Sequence, residues 1–284
     1  MAITQDKVSV VIVSYNSQPT LPDSLKSLKA AVAGRDYELI LVDNNSTDDS
    51  IGATREIFSD AIVIESGRNV GFARACNLGA GKATGEFLLF HNPDLQIDPE
   101  AIDRMIETTR NKHRAGAVAG RMRFPDGSFQ PTCRKFPTAR NMLFSRGSAL
   151  SRLVKKPTNY TLPDYETTTE VDAVAGTLLM IRTELFRESG GFDPRFFMYM
   201  EDTDLCLRLK QAGYHNYFEP GAGGVHLWGK GSQASSFMRD RYHHMSVWKY
   251  FLTHQPNGFS VFVLPVILGT NLLLKLLIRA DNGT

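Results

Sequence analysis

The chain is poor in the patterns that mark several common protein classes. Its 284 residues hold three cysteines, Cys76, Cys133 and Cys206. They are odd in number, scattered and in no metal-ligand spacing, which suits reduced thiols in a cytoplasmic protein. No G-x-G-x-x-G follows the first strand-like run, so a dinucleotide cofactor is not expected. Gly79-Ala-Gly-Lys-Ala83 falls short of a phosphate loop, because Cys76 stands where the first glycine belongs and Ala83 where Ser or Thr should hold the metal. Asp43–Asp48 lacks the glycine of a calcium loop, and Ser14 has no nucleophile elbow around it. Met1–Lys7 leads straight into a strand-like run, so no signal peptide is expected. There is no internal repeat and no low-complexity tract. Acidic residues are missing from Gly127 to Pro163, a stretch that holds Arg134, Lys135, Arg140, Arg146, Arg152, Lys155 and Lys156.

What is present is a chain with 42% hydrophobic residues and a net charge of +2, enough for one large core or for one domain plus an appendage. Its organising stretch is Phe87-Leu-Leu-Phe-His-Asn-Pro-Asp-Leu95, an apolar run stopped by Pro93. Such a run reads as a strand buried on both faces, with its polar tip at the rim where open parallel sheets bind ligands. The same tip also fits an ordinary Asp-capped turn. Around it, strands are expected at Val8–Ser14, Glu38–Asp43, Ala61–Glu65 and Glu86–His91. Helices are expected at 20–33, from Asn45–Asp49 to about 59, at 70–83 and at 99–111. This alternation predicts an α/β unit with a mostly parallel, doubly wound, Rossmann-like sheet.

Beyond Gly116 the pattern changes. Val118–Phe124 and Ser128–Gln130 flank the turn Pro125-Asp126-Gly127 and predict a hairpin. Val171–Arg182 reads as one buried strand interrupted at Ala175-Gly176, Glu201–Ala212 as a helix closed by Gly213, and Tyr214–Phe218 as a short strand. Residues 221–231 read as a glycine-rich loop carrying His226, Trp228 and Lys230, and the chain is helical from Ser235. The expected units are a catalytic domain over 1–232, divided at 115/116 into nucleotide-binding and acceptor halves, and a helical extension over 233–284.

Asp43, Asp94 and Asp202 fall at strand ends or helix starts on one side of the expected sheet, with His226 in a loop that could return there. Carboxylates converging at a switch point suit a divalent metal with a phosphorylated ligand. Mg²⁺ and Mn²⁺ need only one or two protein carboxylates when phosphate oxygens and water complete the shell, and an imidazole tilts the choice toward Mn²⁺. A solvated helix start would explain the acids at 201–204 without chemistry.

Val10-Val-Ile-Val-Ser-Tyr-Asn16, Val42-Asp-Asn-Asn-Ser-Thr-Asp48, Asn69-Val-Gly-Phe-Ala73, Asn92-Pro-Asp94 and Glu201-Asp-Thr-Asp204 occur in this order. Together they resemble the family-2 inverting glycosyltransferases of the GT-A fold, over roughly residues 8–232. Gly190-Gly-Phe-Asp193 and the Asn-Pro-Asp form are most similar to bacterial rhamnosyltransferases of O-antigen and cell-wall polysaccharide assembly. The resemblance implies that Asp43 accepts the N3–H of a uracil or thymine ring, with Ser14, Tyr15, Asn16 and Asn45 nearby. It places Arg68, Asn69, Asn92 and Lys230 on the nucleotide sugar, and Gly176 and Trp228 toward the acceptor. Asp94 and His226 would be the metal ligands for Mn²⁺ or Mg²⁺; Asn92 replaces the first Asp of the family's D-x-D motif and lowers the site charge. Asp202 would be the catalytic base, with Glu201 as the rival. The implied partners are a nucleotide sugar (dTDP-rhamnose or a UDP-sugar) and a polyprenyl-diphosphate-linked glycan, with no nucleic acid. The processive synthases' Gln-x-x-Arg-Trp motif is missing, which favours one sugar per acceptor. An inactive nucleotide-sugar-binding subunit of the same fold is the alternative from another class.

Asn257–Leu274 is an uncharged run of eighteen residues, about 27 Å long as a helix, which is marginal for spanning a bilayer. Together with the basic, Leu- and Phe-bearing segment 134–156, the segment 257–279 suits peripheral binding to the cytoplasmic face of the inner membrane. Packing on the domain or in a homodimer is the other reading of the terminal helix, and a solvated face or a grip on the acceptor diphosphate that of the basic segment.

Overall fold

A computed structural model describes residues 3–144, 161–227 and 236–281. The first strand, β1 (Thr4–Ser14), leads through α1 (Leu21–Ala31), β2 (Tyr37–Asp43), α2 (Ser50–Ile57), β3 (Ile62–Glu65) and α3 (Phe72–Ala80) to β4 (Gly85–His91). Leu21, Leu25 and Leu28 repeat at helical spacing and are the buried stripe of α1. Asp49 caps α2 by accepting the Gly52 N–H at 3.2 Å. These strands pair in parallel, in the order β3-β2-β1-β4. The chain therefore winds outward from β1 to β3 and then crosses to β1's other side, which makes the β1/β4 gap a topological switch point.

After β4 come β5 (Leu95–Ile97), α4 (Ala101–Asn111), β6 (Ala115–Arg123), β7 (Phe129–Gln130), β8 (Cys133–Arg134) and α5 (Ala139–Phe144). The expected hairpin is present as the antiparallel β6–β7 pair. Next are β9 (Thr169–Val171), β10 (Ala173–Val174), β11 (Leu178–Arg182), α6 (Thr183–Glu188), α7 (Glu201–Gln211), β12 (His215–His226), α8 (Ser236–His254), a π-helical turn (Phe259–Val263) and α9 (Leu264–Asp281). The sheet continues β4-β11-β6-β12-β5, with β11 and β5 antiparallel to their neighbours. It is a mostly parallel, mixed sheet with helices on both faces.

Alternate residues of the central strands feed two cores. Val11, Val42, Leu88 and Phe90 face the layer that includes α3 and α7 residues, while Val10, Leu41, Phe87 and Leu89 face α1 and α4. Burial on both faces is why these strands read as unbroken apolar runs. Each such side chain contributes about 1.5–3 kcal/mol of transfer free energy.

Two sequence expectations need correction. Val171–Arg182 is three strands: Ala175 N–H bonds Thr132 O, Gly176 N–H bonds Asp202, and the chain leaves the ladder between β10 and β11 to reach α7. The second concerns the glycine-rich residues before His226, which are strand and not loop. β12 runs to His226 because Gly223 and Gly224 let it press against Arg121 O and Gln96 O, where any Cβ would collide. The C-terminal helices pack against the rest of the chain. Phe196 and Met200, just before α7, share a buried cluster with Val247, Tyr250 and Phe251 of α8 and Leu264 of α9, so these helices complete a core instead of hanging from one.

Among the described residues no helix is long and apolar enough to cross a membrane. The π-helical turn and α9 nonetheless expose Phe262 (73%), Val266 (66%) and Leu273 (56%). Of the basic segment, residues 145–160 lie outside the described residues, as do Trp228 and Lys230.

Candidate active site

The carboxyl ends of β1 and β2 carry Ser14 and Asp43, both buried. The loops beyond them interlock. Asn16 donates its N–H to Ser46 Oγ (3.0 Å), and its Oδ1 accepts from Thr47 N–H (2.7 Å). Asn16 and Asn45 both sit at left-handed φ (53° and 70°), which Asn tolerates better than most residues. Asp43 is 4% exposed; its Oδ2 accepts the Ser46 N–H at 3.0 Å, and its Oδ1 has no hydrogen-bond partner among the described residues. A buried carboxylate oxygen left bare is costly, and such atoms mark places where a ligand donor belongs.

Asn44, which sequence reasoning passed over in favour of exposed Asn45, organises the next wall. Its Nδ2 donates to Asn69 Oδ1 (3.1 Å), and its Oδ1 accepts the Val70 N–H (2.9 Å). Asn69 Oδ1 also takes the Gly71 N–H at 3.1 Å. Asn69 thus shapes the turn into α3, while Arg68 stands exposed beside it. The turn needs Gly71 at φ 84°, because a Cβ there would lie 2.5 Å from Phe197 O.

At the tip of β4 the structure brings the two expected metal ligands together. His226 Nε2 lies 3.2 Å from Asp94 Oδ1, and His226 Nδ1 lies 2.9 Å from Gln130 Oε1. The β12–β5 ladder pairs His226 with Leu95, and Leu227 N–H bonds Asp94 O. With Nδ1–H donating to Gln130, Nε2 presents a lone pair toward a carboxylate, an arrangement that suits a cation between them. Among the described residues no three His, Cys, Asp or Glu side chains gather in metal-holding geometry. Asp43 and Asp202 have other partners. Asn92 borders this pair, held by its N–H to Thr177 O.

His91, also overlooked in the sequence, lies buried at the end of β4, with neither ring nitrogen hydrogen-bonded among the described residues. Burial pushes its pKa down to about 4. A lone His at the end of an apolar strand gives no distinguishing sequence signal, and Gln130 is equally silent in its hairpin.

The third wall is the start of α7. Tyr199 and Met200 are both left-handed (φ 69°), a strained pair that turns the chain into the helix. Glu201, Asp202 and Asp204 follow, all buried, each with different neighbours. Asp202 Oδ2 accepts the Gly176 N–H (3.0 Å) and pairs with Arg134 (3.2 Å), while Oδ1 accepts the Thr203 N–H at 2.6 Å. Glu201 Oε2 has no partner among the described residues, and burial first, then the charge of Asp202, raise its pKa. Asp204 is bound by Arg208 and His254. Gly176 lies where a Cβ would meet Phe72 and Asp202. Arg134, part of the acidic-free stretch, is turned onto Asp202 by the β8–β10 pairing.

Residues 9–190 match the model of glycosyl transferase family 2. Over 239 residues the chain is 34% identical to an N-acetylglucosaminyl-diphospho-decaprenol L-rhamnosyltransferase of Mycobacterium tuberculosis, spanning 78% of this chain and 76% of that protein. It is 26% identical over 253 residues to rhamnosyltransferase WbbL of Escherichia coli, spanning 86% and 92%. Mannosyltransferase PcManGT from Pyrobaculum calidifontis, solved with GDP-Man and Mn²⁺, superposes with a TM-score of 0.62 at 18% identity, over 98% of this chain and 76% of that one. TarS of S. aureus with UDP-GlcNAc gives 0.55 at 18%, over 90% and 76%. With its motifs on one rim of the sheet and these relatives beside it, the chain belongs to glycosyl transferase family 2 and carries that family's GT-A fold.

Proposed function

We propose that this glycosyltransferase moves one L-rhamnose from dTDP-L-rhamnose, with inversion at C1, onto an N-acetylglucosamine carried by a polyprenyl diphosphate in cell-surface polysaccharide assembly. The observation that carries the nucleotide-sugar reading is the bare Oδ1 of buried Asp43 at the switch point, an acceptor suited to a pyrimidine N3–H. Sugar and acceptor class are carried over from the rhamnosyltransferase relatives. Tyr15, Asn16, Asn45, Arg68 and Asn69 line the nucleoside; Ser14 and Asn92 lie at its edge.

Asp94 and His226 fit a small divalent cation, Mn²⁺ or Mg²⁺, and would be the residues that hold it. When bound, such an ion neutralises charge on the departing diphosphate. Gln130 keeps the imidazole in the tautomer that leaves Nε2 free to ligate. Asp202 takes the acceptor hydroxyl's proton as that oxygen attacks C1 from the face opposite the diphosphate. Arg134, Gly176 N–H and Thr203 N–H hold the Asp202 carboxylate in place. Glu201, whose pKa is raised, is the neutral member of the pair, which leaves Asp202 as the base.

The enzyme works at the cytoplasmic face of the membrane, where its acceptor is anchored. The exposed Phe262, Val266 and Leu273 support peripheral contact there; a homodimer would cover the same face. The deciding experiment follows nucleotide diphosphate release from dTDP-rhamnose and a panel of UDP-sugars, with Mn²⁺ or chelator, with and without a synthetic N-acetylglucosamine-diphosphate-lipid. Metal- and acceptor-dependent release from dTDP-rhamnose alone is expected. Release from a UDP-sugar alone overturns the rhamnosyl assignment.

A further inference from the structure

Two adjoining cavities, of about 270 and 460 Å³, lie outside the site just described. They share Phe197 and Lys249, so they form one groove, and neither is lined by Asp43, Asp94 or Asp202. One wall is a stripe of α8 (Arg241, Tyr242, Met245 and Lys249) at helical spacing; the opposite wall brings Arg74 of α3 and Arg195.

The groove's charge is lopsided. Arg74, Arg195, Arg241 and Lys249 line it, and among the described residues no acidic side chain does. The acid nearest in sequence, Asp193, pairs with Arg195. Lys249 Nζ and Arg74 Nε are aimed across the 194–195 backbone, bonding Arg195 O (2.7 Å) and Pro194 O (3.1 Å), which holds both stems in place. With Arg195 paired to Asp193, the cations of Arg74, Arg241 and Lys249 around one concave surface still favour a ligand with more than one negative charge, and Arg in particular suits phosphate oxygens. The floor is of another kind: Phe197 stacks on Tyr242 with centroids 4.5 Å apart, and Met245 is exposed at the rim. A stacked aromatic pair and a flexible thioether suit a sugar face or a hydrocarbon chain.

Its position relates it to the reaction. Phe197 O accepts the Phe72 N–H at 2.7 Å, across the turn that Asn44 and Asn69 shape on the donor side. The Phe72 ring faces Gly176, whose N–H holds Asp202. Trp248 Nε1 bonds Ser260 O at 3.0 Å, so α8 also connects to the turn bearing exposed Phe262. We infer that this groove binds the diphosphate and first isoprene units of the lipid-linked acceptor, a site separate from the donor diphosphate's. The inference rests on the acceptor class proposed above.

The test uses Arg74→Gln, Arg241→Gln and the double variant of the full chain, both side chains being exposed; thermal unfolding checks that they fold as wild type. The acceptor is N-acetylglucosamine diphosphate carrying a phenoxyundecyl chain, and donor KM is measured in parallel. The double variant is expected to raise acceptor KM about tenfold or more, leaving donor KM and kcat near wild type. Inorganic pyrophosphate, titrated calorimetrically with chelator and saturating dTDP present, is expected to bind wild type and to bind the double variant about tenfold more weakly. That titration needs no turnover, so it reports on the groove even if the rhamnosyl reading fails. Unchanged acceptor KM and unchanged pyrophosphate binding in a folded double variant would overturn the inference while leaving the proposed reaction standing. Loss of binding to phosphatidylglycerol vesicles with acceptor KM unaltered would also overturn it, assigning the groove to lipid headgroups.

Discussion

His254 Nε2 lies 2.7 Å from Asp204 Oδ1, joining the last turn of α8 to the first turn of α7, two residues beyond Asp202. The contact is one of a series. Lys249 reaches Arg195 O, Ser246 Oγ reaches Met198 O (2.8 Å), and His243 meets Tyr199 edge-on. The strained pair before Glu201 and Asp202 is thereby held from outside the sheet. His254→Ala leaves one oxygen of a buried carboxylate short of a donor and is expected to destabilise the protein by about 1–3 kcal/mol. It should also lower kcat, with His254→Gln recovering part of both. Thermal unfolding together with steady-state kinetics checks this; equal kcat in all three proteins would show that α8 does not position the base.

Asp202→Asn is expected to cut kcat by about 10²–10⁴-fold while dTDP affinity stays within twofold of wild type. Glu201→Gln, which mimics the protonated acid, should lose far less. A reversal of these two effects would make Glu201 the base.

Removing the imidazole tests the metal pair. His226→Ala should raise the Mn²⁺ concentration needed for half-maximal activity by about 10–100-fold, and Gln130→Leu should shift it in the same direction by less. Metal titration of activity, with chelator-treated enzyme as the zero point, measures both. Identical titration curves would remove His226 from the ligand set.

Stability should depend on pH through His91. Its imidazole titrates at about 4 when folded, against an ordinary value of 6.5, because it is 2% exposed. Between those values the unfolded chain binds the proton and the folded one does not, so stability is full above the upper value and falls as the medium is acidified through the window. The loss attributable to His91 is on the order of 3 kcal/mol. Urea unfolding of wild type and His91→Leu from pH 7 to pH 4.5 should show a shallower acid limb in the variant.

The first half of the fold was legible because Val8–Val13, Leu39–Val42 and Phe87–Phe90 are buried on both sides, and their carboxylate tips follow at once. The second half was harder to read. His226 looked like a loop residue since glycine usually weakens a strand, whereas here Gly223 and Gly224 permit one. Arg134 was hidden among cations of similar appearance; only the β8–β10 pairing singles it out. Asn44 and Asn45 are indistinguishable by composition, and burial alone separates the organiser from the surface residue. Local pattern reports which face is apolar; it does not report which polar side chain a distant strand will meet.

The close approach of β12 to its neighbours has a practical consequence for reading variants. A methyl group at position 223 must displace the carbonyl of Arg121, and with it the strand end that aims His226 at Asp94. Such a change, three residues from the imidazole and touching none of its atoms, would register in an assay as weakened metal use. Natural variation at Gly223 and Gly224 therefore reads out the His226–Asp94 geometry in a segment that, by composition alone, would be dismissed as a linker.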